Sequence, residues 1–289
     1  MFAACASKNK NYDASGMFEA TEVIISAEIT GKILTLNIIE GKKIESSQII
    51  GLIDTTQLYL QKVQLLQSKK QVGARKQNVN TQLASLEEQL AYQQREKMRI
   101  EKLIAAKAGN TKQLDDIDAQ IAIIQKQIAA TKENLEKSNQ GVLDNTGLVD
   151  AQIAAINDQI SKAYIKSPFS GTVLVKYAEA GEVTTMGRPL FKIADLDHIY
   201  LRAYITSAQL TQIKLEQQVK IYSDFGKKEY REYDGIITWI SSEAEFTPKT
   251  IQTKDERANL VYPIKILVKN DGYLKIGMYG DVRLVRGVQ

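Results

Sequence analysis

Residues 29–53 (ITGKILTLNIIEGKKIESSQIIGLI) return as residues 169–193 (FSGTVLVKYAEAGEVTTMGRPLFKI) at a constant offset and without a gap. Gly31 aligns with Gly171, Leu34 with Leu174, Gly41 with Gly181 and Ile53 with Ile193. Each copy has the β-branched content of short strands, punctuated by glycines at turn positions. Neither copy is long enough to bury an apolar face alone. The two copies are therefore expected to close on each other as one small β-domain, interrupted at its middle by whatever lies between them.

The intervening sequence changes period. From about Thr56, apolar residues fall at steps of three, four or seven: Leu65, Val72, Val79, Leu83, Leu86 and Leu90 on one run, then Leu114, Ile117, Ile121, Ile124, Ile128 and Leu135 on the next. The pattern resumes at Val149, Ile153, Ile156 and Ile160. This spacing predicts two helices packed as an antiparallel coiled coil. Arms of roughly 50 residues would each run about 75 Å at 1.5 Å per residue. Gly109-Asn110 marks the reversal. Gly73 and the stretch 141–147, with Gly141 and Gly147, stand equally far from that turn on opposite arms. Glycine costs a helix up to about 1 kcal/mol against alanine. A hinge or local unwinding is expected at that height.

After Asp195 strand patterns return: 200–205, 219–222, 235–240, 262–268 and 281–285, with a short helix over 207–213 capped by Ser207. This reads as a small all-β barrel. Trp239, amid Ile236, Ile237 and Ile240, is expected in its core.

The fold class is thus α+β and multidomain. The expected parts are a flexible N-terminus over 1–16, a β-domain from 17–55 plus 165–195, a helical hairpin over 56–164 with its tip near 105–112, and a barrel over 196–285.

Composition excludes several functions. Lys+Arg of 38 against Asp+Glu of 34 gives +4, too balanced for a nucleic-acid surface. There is one histidine, His198, and one cysteine, Cys5. That leaves no nucleophile–base pair of the usual kind, no His-rich metal site and no intrachain disulfide. His198 is expected at a domain junction. Glu87-Glu88 and Asp115-Asp116 are expected as solvated helix charges. No glycine-rich loop resembles a phosphate cradle, so no enzymatic activity and no cofactor are expected. Cys5 follows small residues and precedes Ser7 and Lys8, like the end of a bacterial lipoprotein signal whose charged and apolar parts are missing. It is the candidate lipidation site, against the plainer reading of an incidental cysteine.

The split repeat, hairpin and following barrel together resemble the periplasmic adaptors, also called membrane fusion proteins or haemolysin-D-like secretion proteins. The segment 165–173 (IKSPFSGTV) is similar to the family's return into its lipoyl-like domain, a barrel-sandwich hybrid. The segment 245–253 (EFTPKTIQT), continuing through Glu256-Arg257 to Tyr262, resembles the branch that partners ABC-type transporters. The resemblance implies a homo-oligomer, hexameric in the assembled complex, that joins an inner-membrane transporter to an outer-membrane channel. It implies a place in the periplasm of a Gram-negative bacterium, attached to the inner membrane. In that family the hairpin tip docks on the channel through an Arg, a Leu four residues later and a small hydroxyl residue past the turn. Arg99 and Leu103 match the first two; Thr111 and Asn110 are alternative matches for the third.

Two rival readings are open to test. A lipoate or biotin carrier would present a lysine beside methionine at a tight hairpin, and no such pair with flanking acid occurs near 54–62. A coiled-coil scaffold without a transport role would need no ring-forming β-domain.

Overall fold

The computed structural model describes residues 12–226, 229–246 and 260–284. The chain divides into a β unit, drawn from both sides of the helical insert, and a helical unit, Thr55–Lys162.

Five strands precede the insert: β1 (Ala14–Glu19), β2 (Glu22–Ser26), β3 (Gly31–Leu36), β4 (Lys43–Ile44) and β5 (Ile49–Ile53). The insert holds α1 (Thr56–Gly73), α2 (Val79–Ala105) and α3 (Thr111–Lys162). Four strands follow it: β6 (Tyr164–Lys166), β7 (Gly171–Lys176), β8 (Val183–Thr184) and β9 (Pro189–Ala194). Then come β10 (His198–Thr206), α4 (Ser207–Leu210), β11 (Gln218–Phe225), β12 (Glu229–Ile240), β13 (Glu245–Phe246), β14 (Leu260–Lys269) and β15 (Tyr279–Leu284).

The repeat builds a sandwich of two four-stranded sheets, β2-β9-β7-β4 and β6-β5-β3-β8. The copies exchange their shortest strands. β4 of the first copy pairs with β7 of the second, Lys43 opposite Thr172 and Ile44 opposite Gly171. β8 of the second pairs with β3 of the first, Gly31 opposite Thr184 and Lys32 opposite Val183. Equivalent bulges interrupt β3 against β5 between Ile33 and Thr35, and β7 against β9 between Val173 and Val175. The turn glycines adopt the left-handed backbone required of them, φ 81° at Gly41 and 96° at Gly181. Each donates its N–H to the opposite copy, Gly41 to the Val173 carbonyl and Gly181 to the Ile33 carbonyl. Ile33, Ile53, Val173 and Ile193 are fully buried in the shared core.

The remaining strands close a six-stranded barrel in the order β10-β1-β15-β11-β12-β14, with β14 pairing back onto β10 and β13 appended at the side. Phe18, Leu201, Ile221, Ile237, Ile264 and Val282 fill it. Closure removes exposed strand edges, which otherwise invite pairing with other chains.

Four sequence expectations are corrected. Residues 14–19, divided in the sequence reading between a flexible N-terminus and the lipoyl-like domain, form barrel strand β1, paired on both sides by β10 and β15. α4 is shorter than expected and is capped by Thr206, not Ser207: Thr206 Oγ1 accepts the Gln209 N–H, and Gln209 Oε1 accepts the Thr206 N–H in return. Trp239 is 41% exposed rather than core. A register shift between Ile237 and Trp239 turns the indole outward after Ile237 has pointed in.

The fourth concerns the hairpin. Its first arm is two helices, separated by residues 74–78, whereas α3 runs unbroken through Gly141 and Gly147. The expected unwinding at 141–147 does not occur. Two glycines cost α3 about 2 kcal/mol, which a helix of 52 residues sustains by continuing on either side. In the first arm Gly73 is followed by Asn78, whose side chain accepts the Thr81 N–H and caps α2. A fresh N-cap five residues after a glycine makes restarting the helix favourable.

Within the helical unit α1 and α2 pack on successive stretches of α3. Few of the unit's described residues are buried: Leu83 and Ile100 in α2 and Ile124 in α3. Among the described residues, no helix is long and apolar enough to cross a membrane.

Candidate functional site

The reversal of the hairpin is built by a compact set of backbone bonds. α2 ends at Ala105 with Ala106 as its cap. The Lys107 N–H reaches the Ile104 carbonyl at 2.9 Å and the Ala108 N–H reaches the Leu103 carbonyl at 2.9 Å. This is the paired closure of a Schellman motif, with Lys107 at its left-handed position, φ 62°. Glycine usually holds that place, because a Cβ there crowds the backbone. Gly109 meets a different demand. A Cβ on it would lie 2.7 Å from the Ile104 backbone nitrogen, so the turn folds back directly onto the last helical turn.

Asn110 then starts the second arm. Its Oδ1 accepts the Lys112 N–H at 2.9 Å and its carbonyl accepts the Gln113 N–H at 3.1 Å. Asn110 thus acts as the N-cap of α3, and Thr111 is the first helical residue. Both are exposed.

Arg99 and Leu103 lie one turn apart on the outer face of α2, since residues four apart share a helix face. The Arg99 side chain is 68% exposed, with its guanidinium 3.0 Å from Glu96. Leu103 is 40% exposed. Between them Ile100 faces inward and is buried. On the inner side Lys97 spans the two arms to Asp118 at 2.7 Å, and that hydrogen bond raises the lysine pKa. The structure therefore places Arg99, Leu103, Asn110 and Thr111 together around one end of the hairpin, all exposed. Glu87, Glu88, Asp115 and Asp116 are exposed nearby as surface charges. A guanidinium, an isobutyl group and small polar groups on a rigid helical end can bind another protein; they supply no nucleophile or proton-transfer pair.

Gly73 lies at the break in the first arm, and Gly141 and Gly147 inside α3. Cys5 lies outside the described residues. So do residues 247–259 of the segment read as transporter-related; its described ends form β13 and the start of β14.

The β unit has a second concentration of charge. Lys43 bonds to Asp197, Lys265 to Glu19 at 2.7 Å, Lys192 to Glu22 at 2.9 Å and Arg202 to Glu245 at 3.0 Å. His198 opens β10, its Nδ1 3.1 Å from the carboxylate of Asp195, which lies in the connection from sandwich to barrel. Lys43–Asp197 joins sandwich strand β4 to the connection before β10, whereas Lys192–Glu22 lies within the sandwich and Lys265–Glu19 and Arg202–Glu245 lie within the barrel sheet. Among the described residues, no group of His, Cys, Asp and Glu could hold a metal ion. Two residues escaped the sequence reading. Asn78 is legible as a cap in the run Asn78-Val79-Asn80-Thr81. Asn139 faces the first arm from within α3, and only a polar residue interrupting the apolar periodicity marks it.

No family model matches the chain. It is 25% identical over 292 residues to the UPF0194 membrane protein YE2891 of Yersinia enterocolitica, covering 94% of this chain and 88% of that one. It is 25% identical over 287 residues to the UPF0194 membrane protein YbhG of Salmonella arizonae, covering 91% and 85%. Among solved structures it is similar to the membrane fusion protein Spr0693 of Streptococcus pneumoniae R6, with a TM-score of 0.53, 16% identity and coverage of 95% and 98%. It is also similar to MacA of Actinobacillus actinomycetemcomitans, with a TM-score of 0.52, 19% identity and coverage of 94% and 78%.

Proposed function

We propose, from the premise that this chain has the membrane fusion protein fold, that it is a periplasmic adaptor subunit of a tripartite efflux or secretion system. The observation that carries the reading is the inserted hairpin with an exposed Arg99–Leu103 face at its reversal, set in a β-domain whose two halves complete each other. In this reading the tip grips an outer-membrane channel and the β-domains assemble around an inner-membrane transporter of the ABC type. Several copies, six in the assembled complex, multiply weak tip contacts into avidity. The adaptor itself performs no chemistry; energy for export belongs to the transporter. Attachment to the inner membrane through lipidated Cys5 belongs to the same proposal.

Arg is enriched among residues that dominate interface energetics, so Arg99 and Leu103 are assigned the channel contact, with Thr111 or Asn110 completing it. The test is photocrosslinking from Leu103 and Thr111 in native envelopes, with mass spectrometry of the captured partner. Capture of an outer-membrane channel is the expected result. Capture only of proteins of another class, at normal abundance and with the hairpin folded, would replace the adaptor by a coiled-coil scaffold.

A further inference from the structure

Two ion pairs bracket the break in the first arm. Lys97 meets Asp118 on the tip side and Lys69 meets Asp150 on the other. Between these pairs the first arm advances from Lys69 to Lys97, while α3 advances from Asp118 to Asp150. The unbroken helix thus spends about one helical turn more, roughly four residues, on the same stretch. Most of the excess falls between Lys69 and Gln77, the part of the first arm that contains residues 74–77.

The inward-facing positions of α3 show the same shift. From Leu114 to Leu135 they alternate steps of three and four, and from Asn139 to Ile160 they do so again. At the junction two steps of four follow one another, Thr131 to Leu135 to Asn139. That is a four-residue insertion in a heptad pattern, which locally unwinds a coiled coil. The first arm answers it by leaving the α-helix. Arg75 and Lys76 donate to the carbonyls of Val72 and Gly73 in a tightened last turn, and Asn78 is extended, with ψ 107°. Non-helical residues rise faster than 1.5 Å each, so a shorter segment matches a longer helical one.

Asn139 sits at this junction and holds the linker by both edges of its amide. The Gln77 N–H donates to Asn139 Oδ1 at 2.8 Å, and Asn139 Nδ2 donates to the Gln77 carbonyl at 2.9 Å. The N–H and the carbonyl of Gln77, which lies between the two helices of the first arm, are thereby both satisfied by one side chain of the opposite arm. Alongside, Val72, Arg75, Gly141, Val142 and Leu148 line an open cleft, so the packing on this side of the junction is incomplete.

We infer that residues 74–78 and Asn139 form a joint built into the hairpin, at which a tip segment (α2 with the first half of α3) and a stem segment (α1 with the second half) meet one helical turn out of register. Asn139 is the pin of that joint. A single polar residue in a coiled-coil seam fixes register at a cost in stability, and here it selects the offset and holds the linker against it. The inference is independent of which partners the tip engages.

The test uses the full chain carrying Cys5→Ser and pairs of spin labels at exposed positions. Gln67→Cys with Gln94→Cys spans the joint; Asn80→Cys with Gln94→Cys lies within α2; Gln127→Cys with Gln152→Cys follows α3 past Asn139. Asn139→Ala is expected to broaden the joint-spanning distance distribution about twofold while the α2 pair stays narrow. The same change should speed hydrogen exchange of the Gln77 amide about tenfold, as loss of one hydrogen bond does. Asn139→Asp retains the acceptor for the Gln77 N–H, is expected to fall between the two, and supplies the reading if the alanine variant does not fold. Unchanged spanning distances and unchanged Gln77 exchange in Asn139→Ala would overturn the joint. So would equal broadening of the α2 pair, which would mean a hairpin loosened throughout.

Discussion

The β unit and the helical unit solve the folding problem by different means. In the β unit Ile33, Ile53, Leu190, Phe191, Ile193, Leu201, Ile221 and Ile237 are essentially inaccessible to water. In the helical unit the best-buried side chains among the described residues, Leu83, Ile100 and Ile124, still keep 4%, 7% and 3% exposure, and most seam positions remain half-exposed. Burial of a Leu or Ile side chain contributes about 1.5–3 kcal/mol, so packing dictates one arrangement for the barrel and sandwich. The hairpin depends instead on helix propensity, caps and surface ion pairs, each worth about 1 kcal/mol or less. A structure held by many small terms tolerates a break; one held by interlocked side chains does not.

The largest expected effect comes from the barrel core. Ile237→Ala should destabilise the β unit by about 3 kcal/mol, read from denaturant unfolding followed by fluorescence of Trp239, two residues away. Ile124→Ala, at the best-buried position of α3, should cost about 1–2 kcal/mol because the open seam relaxes around it; helical circular dichroism during unfolding reports this. Equal costs at the two sites would break the contrast between the units.

Smaller changes sharpen it. Lys107→Gly relieves the left-handed strain at the tip turn and should stabilise the hairpin by about 1 kcal/mol, seen as a higher melting midpoint of the helical signal. In the β unit, burial raises the Asp281 pKa although the Ser15 hydroxyl donates to its carboxylate at 2.6 Å. A raised pKa means that the native state holds the proton more tightly than the unfolded chain. Asp281 is therefore least unfavourable below the ordinary carboxylate pKa, and stability falls as pH rises through the shifted value. Asp281→Asn should consequently raise barrel stability slightly at neutral pH and lose that advantage in acid, measured by unfolding at both pH values.

The sandwich was legible because its symmetry is written in the sequence. The same offset that aligns Gly41 with Gly181 also aligns the two bulges and the two exchanged strands. It even pairs left-handed Ser47, φ 62°, with left-handed Gly187, φ 84°. The tip was legible as well, since Gly109 and Asn110 are residues that such a reversal demands. What escaped was set by neighbours distant in sequence. Thr206 rather than Ser207 caps α4, a one-residue shift that side-chain chemistry does not distinguish. Trp239 turns outward because of a bulge against Lys265. β1 joins the barrel through partners, Gly16 opposite Ala203 and Gly280, that no local pattern announces. In the first arm, apolar spacing continued across residues 74–78 and concealed a change of register that only the facing helix reveals.

The sandwich also places the two ends of the helical insert side by side. The Ile53 N–H donates to the Ala163 carbonyl, and the next strand pairing joins Leu52 to Tyr164. The chain departs and returns through the same rung of one ladder, so the β-domain is indifferent to how many turns are added to or removed from both arms together. Hairpin length is thereby a free dimension of this architecture. Turns added to or removed from both arms together leave this rung, and the strand register it fixes, unchanged.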